Sequence, residues 1–115
     1  MFKSAAVLVV DDDRDVRDIV TAVLESEGYS VRCAENGAQA LAIMHGPKPG
    51  AIVLDLMMPV MSGWELLDAV QSDADLSRIP VLVLSAVRAP AGVAHLSKPV
   101  SLDELVTMLD RVCRH

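Results

Sequence analysis

Short apolar runs alternate along the chain with longer stretches in which apolar and polar residues are mixed. Ala5–Val10 is an uninterrupted apolar run rich in valine, too short for a helix and typical of a strand buried on both faces. Ala51–Leu54 and Val81–Leu84 are apolar runs of the same kind. Pro80 comes directly before the second of them, and proline is tolerated at the first position of a strand. These runs predict three strands at the centre of a sheet.

Two weaker segments predict strands nearer the edges of that sheet. Ser30–Ala34 alternates only weakly between apolar and polar positions, which is typical of a shorter, outer strand. Val93–Leu96 predicts one further short strand near the end of the chain. The pattern therefore predicts five strands.

The mixed stretch between Asp13 and Glu27 has the periodicity of an amphipathic helix. Asp12 or Asp13 can cap its first turn, and Gly28 stands where such a helix ends. Its apolar positions recur at the spacing of one helix face, so we expect the following side chains to point to the core: Val16, Ile19, Val20, Val23 and Leu24.

Caps and breakers mark two further helices in the middle of the chain. One begins after Asn36 and stops before Gly46. The next opens at Ser62–Glu65, which has the Ser-x-x-Glu spacing of a capping box, and runs to about Gln71. The polar, acidic segment Ser72–Arg78 that follows predicts a loop.

A last helix opens at a second capping box, Ser101–Glu104. Its apolar stripe comprises Leu102, Leu105, Val106, Leu109, Val112 and Cys113. Strands that alternate with helices in this way predict an α/β fold, in which a parallel sheet carries helices on both faces.

Composition and charge exclude several classes of protein. The 115 residues carry 10 basic and 16 acidic side chains, a net charge of −6, which argues against a general nucleic-acid binder with a basic surface. The apolar share of 52% argues against disorder, and the apolar runs are far shorter than the about 20 residues that cross a membrane. The first residues lack the long apolar region of a secretory signal. We therefore expect a single cytoplasmic domain over residues 1–115.

Two cysteines, Cys33 and Cys113, have no metal-type spacing. Because the chain shows no export signal, we expect reduced thiols in the core rather than a disulfide.

Polar side chains with complementary chemistry stand at the ends of the predicted strands. Because the carboxyl ends of parallel strands share one edge of a sheet, where ligands bind in such folds, we expect these side chains to converge on one pocket. They are Asp11, Asp12 and Asp13 after the first strand, Asp55 after the third, Ser85 after the fourth and Lys98 after the last.

This set of side chains suits phosphoryl transfer. Packed carboxylates repel one another, and a divalent cation with oxygen ligands relieves that repulsion; Mg²⁺ fits best because it takes one or two carboxylates and a phosphate. An ammonium and a hydroxyl can hold phosphate oxygens, and a carboxylate can act as the nucleophile. Each residue alone could be a turn, a cap or a solvated side chain, but their joint placement favours chemistry.

The residues resemble those of the receiver domain of two-component response regulators. The resemblance covers nearly the whole chain, in order, and it implies a flavodoxin-like sheet of five strands in the order 2-1-3-4-5. The matching stretches are VLVVDDDRDVR at 7–17, ENGAQAL at 35–41, IVLDLMMPVMSGWELL at 52–67, IPVLVLSA at 79–86 and LSKPVSLDELV at 96–106.

The resemblance implies a role for each acid of the pocket. Asp55 would accept a phosphoryl group from a phosphohistidine on a sensor histidine kinase or a histidine phosphotransfer protein. Asp12 would ligate Mg²⁺ directly and Asp11 through the water shell of the metal, while the backbone carbonyl of Met57 would complete the metal site. Asp13 is expected to cap the first helix rather than bind metal.

The resemblance also implies how the signal leaves the pocket. Ser85 would donate a hydrogen bond to one phosphoryl oxygen, and Lys98 would pair with another. Relatives carry a rotating aromatic residue three positions before the lysine, where this chain has His95. That histidine is either a titratable switch or an ordinary, partly exposed strand residue. The output would be a changed affinity for a downstream protein, with no catalysis beyond the domain's own phosphorylation and dephosphorylation.

The sequence departs from the family between strands four and five. Ser85 and Lys98 are only thirteen positions apart, whereas a parallel crossover with a helix needs a dozen residues or more between the strands. Pro90 and Gly92 also disfavour a helix interior. We therefore predict a loop, or at most a single turn, in place of the family's helix at this point.

Three other functions are alternatives to that of a phosphoacceptor. A receiver-like interaction module that works without phosphorylation would fit the shortened crossover. A Mg²⁺-dependent phosphatase of the aspartyl-phosphate type usually has a second acid two residues after the nucleophile, where Met57 stands here. A flavin-binding protein would need a Ser/Thr/Gly-rich phosphate loop after the first strand, where this chain has three acids.

Overall fold

A computed structural model describes residues 6–55, 63–85, 94–97 and 101–113, without the side chains of Ser85, Ala94–Ser97 and Cys113. In chain order, its elements are β1 (Val7–Val10), α1 (Arg14–Ser26), β2 (Val31–Ala34), α2 (Gly37–Met44), β3 (Ala51–Asp55), α3 (Gly63–Ser72), a 3₁₀ helix (Leu76–Arg78), β4 (Val81–Ser85), β5 (Ala94–Ser97) and α4 (Leu102–Cys113).

The five strands form one parallel sheet in the order β2-β1-β3-β4-β5. The predicted α/β class and the flavodoxin-like strand order are therefore confirmed. The uninterrupted apolar runs became the central strands β1, β3 and β4, because strands covered by helices on both faces have no polar side to present. The weakly alternating segment became β2, at one edge of the sheet.

Two separate cores lie on opposite faces of the sheet. Alternate residues of each central strand point to opposite faces, so one uninterrupted apolar run supplies both cores. On one face α2 and α3 pack on the sheet through Ala40, Met44, Leu66, Leu67 and Val70. On the other face α1 and α4 pack through Val20, Leu24, Leu105 and Leu109.

Helix caps that the sequence predicts are present where the structure describes them. The Asn36 side chain accepts a hydrogen bond from the backbone N–H of Gln39 at 2.9 Å, at the start of α2. The Ser101 hydroxyl accepts one from the backbone N–H of Glu104 at 3.4 Å, at the start of α4. Gly28 follows α1 with φ of 93°, a left-handed conformation that glycine adopts without strain. The capping box predicted at residues 62–65 begins outside the described residues.

The helix α1 corrects one prediction about the core. Val20 and Leu24 are buried, with 4% and 0% of their surface exposed, but Ile19 is 53% exposed and faces solvent. Ile19 is one position before Val20, which turns it by about 100° around the helix axis. The apolar stripe is therefore wider than the buried face, and Ile19 lies at its outer margin.

The edge strand β2 corrects a second prediction. Cys33 has a free thiol, but the side chain is exposed instead of lying in the core. Of the four residues of β2 only Ala34 is buried, because a strand at the edge of the sheet has a neighbouring strand on one side only. The hydroxyl of Thr21 on α1 lies 3.3 Å from the Cys33 sulfur. The side chain of Cys113, predicted to be a core thiol, lies outside the description.

The acidic segment after α3 is more ordered than the predicted loop. Leu76–Arg78 forms a 3₁₀ helix, and the Asp73 carboxylate accepts hydrogen bonds from the backbone N–H groups of Asp75 at 2.8 Å and Leu76 at 3.0 Å. Leu76 is the apolar residue of this segment that enters the core, with 8% exposure. A single leucine among polar residues was too weak a signal to predict the turn.

The crossover between β4 and β5 is short. Residues 86–93 connect the end of β4 to the start of β5, and the strand predicted at Val93–Leu96 is displaced by one residue to Ala94–Ser97. Residues 86–93 lie outside the described residues, so the predicted loss of the family's helix stays a prediction.

Within the ranges that the structure describes, no helix combines the length and the apolar character needed to span a bilayer.

Candidate metal centre at the carboxyl edge of the sheet

Three carboxylates meet where the two central strands end. Val10, the last residue of β1, is in register with Leu54 of β3, so Asp11 and Asp55 follow side by side on neighbouring strands. One carboxylate oxygen each from Asp11, Asp12 and Asp55 lies within 4.8 Å of the others. Asp11 and Asp55 are almost fully buried, with 3% and 5% exposure, whereas Asp12 is exposed. The site is thus a buried acidic pair with a third acid at its mouth.

The turn between β1 and α1 gives each of its three aspartates a different environment. The backbone N–H of Asp11 still belongs to the sheet and donates to the carbonyl of Ala34 at 3.2 Å. The Asp11 carboxylate accepts a hydrogen bond from the backbone N–H of Asp13 at 2.9 Å. The Asp13 carboxylate in turn caps α1, accepting from the backbone N–H groups of Asp15 at 2.9 Å and Val16 at 3.3 Å. Asp13 is therefore a helix cap, as the sequence predicted.

Arg17 ties this turn to α1 from two directions. Its backbone N–H donates to the carbonyl of Asp13 at 3.0 Å, as the first regular bond of the helix. Its guanidinium donates to the carbonyl of Asp11 at 2.7 Å, and the side chain is half-buried. Arg17 was not predicted as a residue of the site. The available signal was a basic residue one helical turn inside a helix that begins directly after three acids.

The donor set fits a small, hard divalent cation. Carboxylates that are packed together repel one another, and burial of Asp11 and Asp55 away from water further disfavours their charges. A cation with oxygen ligands offsets both costs, and Mg²⁺ is the ion that is typically held by one or two carboxylates with water and phosphate completing its shell. The residues of this centre that the structure describes are therefore suited to hold Mg²⁺.

The remaining residues predicted for the site are described in part. Ser85 is the last residue of β4, one position after Leu84, which is in register with Asp55. The backbone of Ser85 therefore reaches the same edge of the sheet as the acids. His95 lies in β5 in register with Val83 of β4. Met57 and Lys98 lie outside the described residues, and their predicted roles stay predictions.

A five-stranded parallel sheet with buried acids at the ends of strands one and three is the architecture of a receiver domain. The family of the response regulator receiver domain matches residues 7–110, most of the chain. This chain therefore belongs to the response regulator receiver domain family.

Two curated relatives are close in sequence. Response regulator MprA of Mycobacterium bovis (strain BCG / Pasteur 1173P2) is 38% identical over 120 residues, which cover 96% of this chain and 51% of the relative. Response regulator MprA of Mycobacterium ulcerans (strain Agy99) is 37% identical over 120 residues, with the same two coverages of 96% and 51%. The chain thus spans about half the length of the curated relatives it matches.

Solved structures show the same architecture over whole chains. The chemotaxis protein CheY4 of Vibrio cholerae superposes with a TM-score of 0.87 at 32% identity, covering 96% of this chain and 99% of that one. The signal receiver domain of a signal transduction histidine kinase from Syntrophus aciditrophicus superposes with a TM-score of 0.90 at 25% identity, covering 96% and 91%. Both similarities extend over the sheet that carries the acids.

Proposed function

We propose that this domain is the phosphoacceptor of a two-component phosphorelay. In this proposal, Asp55 receives a phosphoryl group from a phosphohistidine on a sensor histidine kinase or a histidine phosphotransfer protein. The observation that carries it is the placement of the Asp55 carboxylate, 5% exposed at the end of β3, within 4.8 Å of the carboxylates of Asp11 and Asp12. Membership of the receiver family supports the same conclusion.

The acids would hold Mg²⁺ at this edge of the sheet. Asp12 and Asp55 would bind the metal directly, Asp11 through water, and the backbone carbonyl of Met57 would complete the site. A bound Mg²⁺ neutralises the charge on the phosphoryl oxygens and the acids, which is the main requirement of phosphoryl transfer. The hydrogen bond from the Asp13 backbone to Asp11 keeps the turn in place for this role.

The transfer itself exchanges one bond to phosphorus for another. A carboxylate oxygen of Asp55 forms the new O–P bond, and the N–P bond of the phosphohistidine breaks. The electron pair of that bond stays on the imidazole nitrogen. A phosphohistidine that already carries a proton on its other ring nitrogen therefore leaves as neutral imidazole, and Asp55 becomes an acyl phosphate. In this proposal the Ser85 hydroxyl and the Lys98 ammonium each donate to a phosphoryl oxygen.

Phosphorylation would change which protein the domain binds. It adds about 1.5 to 2 negative charges and three acceptor oxygens at a buried position, which draws donors such as Ser85 and Lys98 toward Asp55. His95 lies on β5, next to the strand β4 that ends in Ser85. It is the candidate switch that would transmit this movement to a downstream protein partner. The net charge of −6 favours a protein partner over direct contact with nucleic acid or an anionic membrane surface.

Incubation with Mg²⁺ and acetyl phosphate, followed by intact-mass measurement, tests the proposal. We expect the wild-type chain to gain the mass of one phosphoryl group and Asp55→Asn to gain none. Asp68→Asn, which replaces an exposed aspartate on α3, serves as the matched control and should gain the group normally. Equal labelling of the wild type and Asp55→Asn, or labelling without Mg²⁺ at the same rate, would contradict the proposed site.

One observation favours a second candidate, a receiver-like interaction module that works without phosphorylation. Residues 86–93 are too few for a crossover helix of ordinary length, and without that helix the surface that receivers usually change on activation would differ in this domain. The same mass measurement separates the two functions. Absence of any mass gain in a folded wild-type chain that binds Mg²⁺ would favour the module.

A further inference from the structure

A permanent positive charge lies against the main chain of the acidic centre. The guanidinium of Arg17 donates to the carbonyl of Asp11 at 2.7 Å, and the Arg17 side chain is half-buried. Asp11 is itself 3% exposed and brings its carboxylate within 4.8 Å of those of Asp12 and Asp55. The Arg17 guanidinium therefore lies next to the turn that carries Asp11 and Asp12, and its charge acts on the acids of the centre across a partly exposed, water-screened surface.

Two effects of this contact on metal binding have opposite signs. As a hydrogen-bond donor, Arg17 holds the turn at Asp11 and Asp13 in one conformation, which would strengthen metal binding by preorganising the acids. As a fixed cation, it offsets the mutual repulsion of the acids and repels any second cation, which would weaken metal binding. The backbone N–H of Arg17 and the Asp13 cap already fix the turn, so the positioning effect is shared among several bonds. The effect of the charge belongs to the guanidinium.

We propose that Arg17 is a counter-charge of the acidic centre and that it lowers the affinity of the centre for Mg²⁺. In this role it stabilises the pocket when the metal is absent and keeps metal binding readily reversible. The inference rests on the proposed magnesium site, and Arg17 is a positioning residue that acts through Asp11 without touching the metal or the phosphoryl group.

Replacement of the charge should change Mg²⁺ binding and stability in opposite directions. A unit charge about 8 Å from a divalent ion, screened as in water, changes its affinity on the order of fivefold. We therefore expect Arg17→Met to bind Mg²⁺ about fivefold tighter than wild type in calorimetric titrations at low ionic strength. Its melting temperature without Mg²⁺ should be lower than that of wild type, and saturating Mg²⁺ should narrow the gap.

Further variants separate charge from shape. Arg17→Lys keeps the charge and should bind Mg²⁺ with nearly wild-type affinity. Arg17→Gln keeps a side-chain donor without the charge and should bind more tightly, as Arg17→Met does; it also provides the test if the methionine variant does not fold. Arg14→Met is the matched control, because Arg14 is on the same helix but 83% exposed, in an ion pair with Asp18 at 3.8 Å. It should leave the affinity unchanged within about twofold, as expected for a screened surface charge.

Ionic strength provides a readout that a purely structural role would not move. The difference in Mg²⁺ affinity between wild type and Arg17→Gln should shrink as added salt screens the charge. Weaker or unchanged Mg²⁺ binding in both neutral variants would overturn the counter-charge role while leaving the magnesium site intact. Absence of Mg²⁺ binding by the wild type would instead overturn the proposed function on which the inference rests.

Discussion

Three consecutive aspartates follow β1, and the position of each one in the turn determines its role. Asp11 is buried and holds the turn, Asp12 is exposed at the mouth of the centre, and Asp13 caps α1. The chemistry of the three side chains is identical, so their roles follow from the direction in which the backbone presents each one. The three residues lie between the end of β1 and the start of α1, where the backbone changes direction, so each carboxylate has a different environment.

An aspartate far from the centre predicts a specific dependence of stability on pH. The backbone N–H groups of Leu76 and Asp75 donate to the Asp73 carboxylate and hold the pKa of that carboxyl below its ordinary value. Because the folded-state pKa is lowered, the ionised group stabilises the fold above the ordinary aspartate pKa of about 3.9, and this contribution is lost as the pH falls through the lowered value. Melting temperatures of wild type and Asp73→Asn should therefore converge as the pH is lowered through this window.

The control for this effect is the neighbouring aspartate. Asp75 precedes the same 3₁₀ helix but makes no side-chain cap bond. Asp75→Asn should therefore run parallel to wild type over the same acid range. If the gap between wild type and Asp73→Asn stayed constant down to the lowest pH at which both are folded, the cap bonds of Asp73 would not be the source of a pH-dependent contribution.

At the scale of whole elements, the helix α1 shows that an apolar residue in the stripe of a helix is not always buried. Leu24 is fully buried against the sheet and Ile19 is 53% exposed, although both belong to the apolar stripe that the sequence displays. We expect Leu24→Ala to lower the free energy of unfolding by about 2–5 kcal/mol, because it leaves a cavity between α1 and the sheet. Ile19→Ala should change it by no more than about 0.5 kcal/mol, as is usual for surface positions. Urea denaturation of the two variants measures both values.

The pair serves as its own control, since both changes shorten a branched aliphatic side chain to alanine on one helix. Similar losses for the two variants would mean that Ile19 is covered in solution, contrary to the exposure seen here.

Elements differ in how far their sequences determine them. The strands β1, β3 and β4 could be predicted because an uninterrupted apolar run between polar turns has few alternatives, and the caps at Asn36 and Ser101 marked helix starts. The exact buried face of α1 could not, because an apolar residue at the margin of a stripe fits either side of the boundary. Neither could the exposure of Cys33, which depends on how little of the second strand its neighbours cover.

One hydrogen bond between distant elements could not be predicted from the sequence. The Tyr29 hydroxyl donates a hydrogen bond to the Asp110 carboxylate, and so joins the turn before β2 to the last turns of α4. The two residues are 81 positions apart. Tyr29 is otherwise buried, with 5% exposure, and a buried phenol requires such a partner. Sequence patterns specify that a tyrosine needs an acceptor but not which distant acceptor meets it.

For the whole molecule, the sheet explains why the acidic centre was predictable. Residues distant in sequence, such as Asp11 and Asp55, meet because parallel strands bring all their carboxyl ends to one edge, whatever the details of the helices. The strand runs were predictable, so their ends were too. Arg17 was not predicted because its contact depends on the rotation of α1 about its axis, which the sequence fixes only loosely.

Metal binding should be visible as a change in the stability of the whole domain. A ligand that binds only the folded state at a hundred times its Kd adds about 2.7 kcal/mol to the free energy of unfolding. We expect Mg²⁺ to raise the melting temperature of wild type accordingly, and Asp12→Asn to lose most of that rise because an exposed ligand at the mouth of the centre is removed.

Differential scanning calorimetry with and without Mg²⁺ measures this difference, and Asp68→Asn, which changes an exposed aspartate of α3, should keep the full rise. Equal rises in wild type and Asp12→Asn would place the metal elsewhere in the molecule.

The short outer strand β2 has a consequence for how copies of this domain coexist. An open strand edge is a template on which another chain can extend the sheet, and long, flat, apolar edges promote aggregation. Here the edge offers only Val31–Ala34, with the exposed guanidinium of Arg32 in the middle. A second chain that added a strand at this edge could form backbone hydrogen bonds with four residues at most, next to a hydrated positive charge. The short length of β2 and the charge of Arg32 therefore disfavour self-association of the domain through this edge of the sheet.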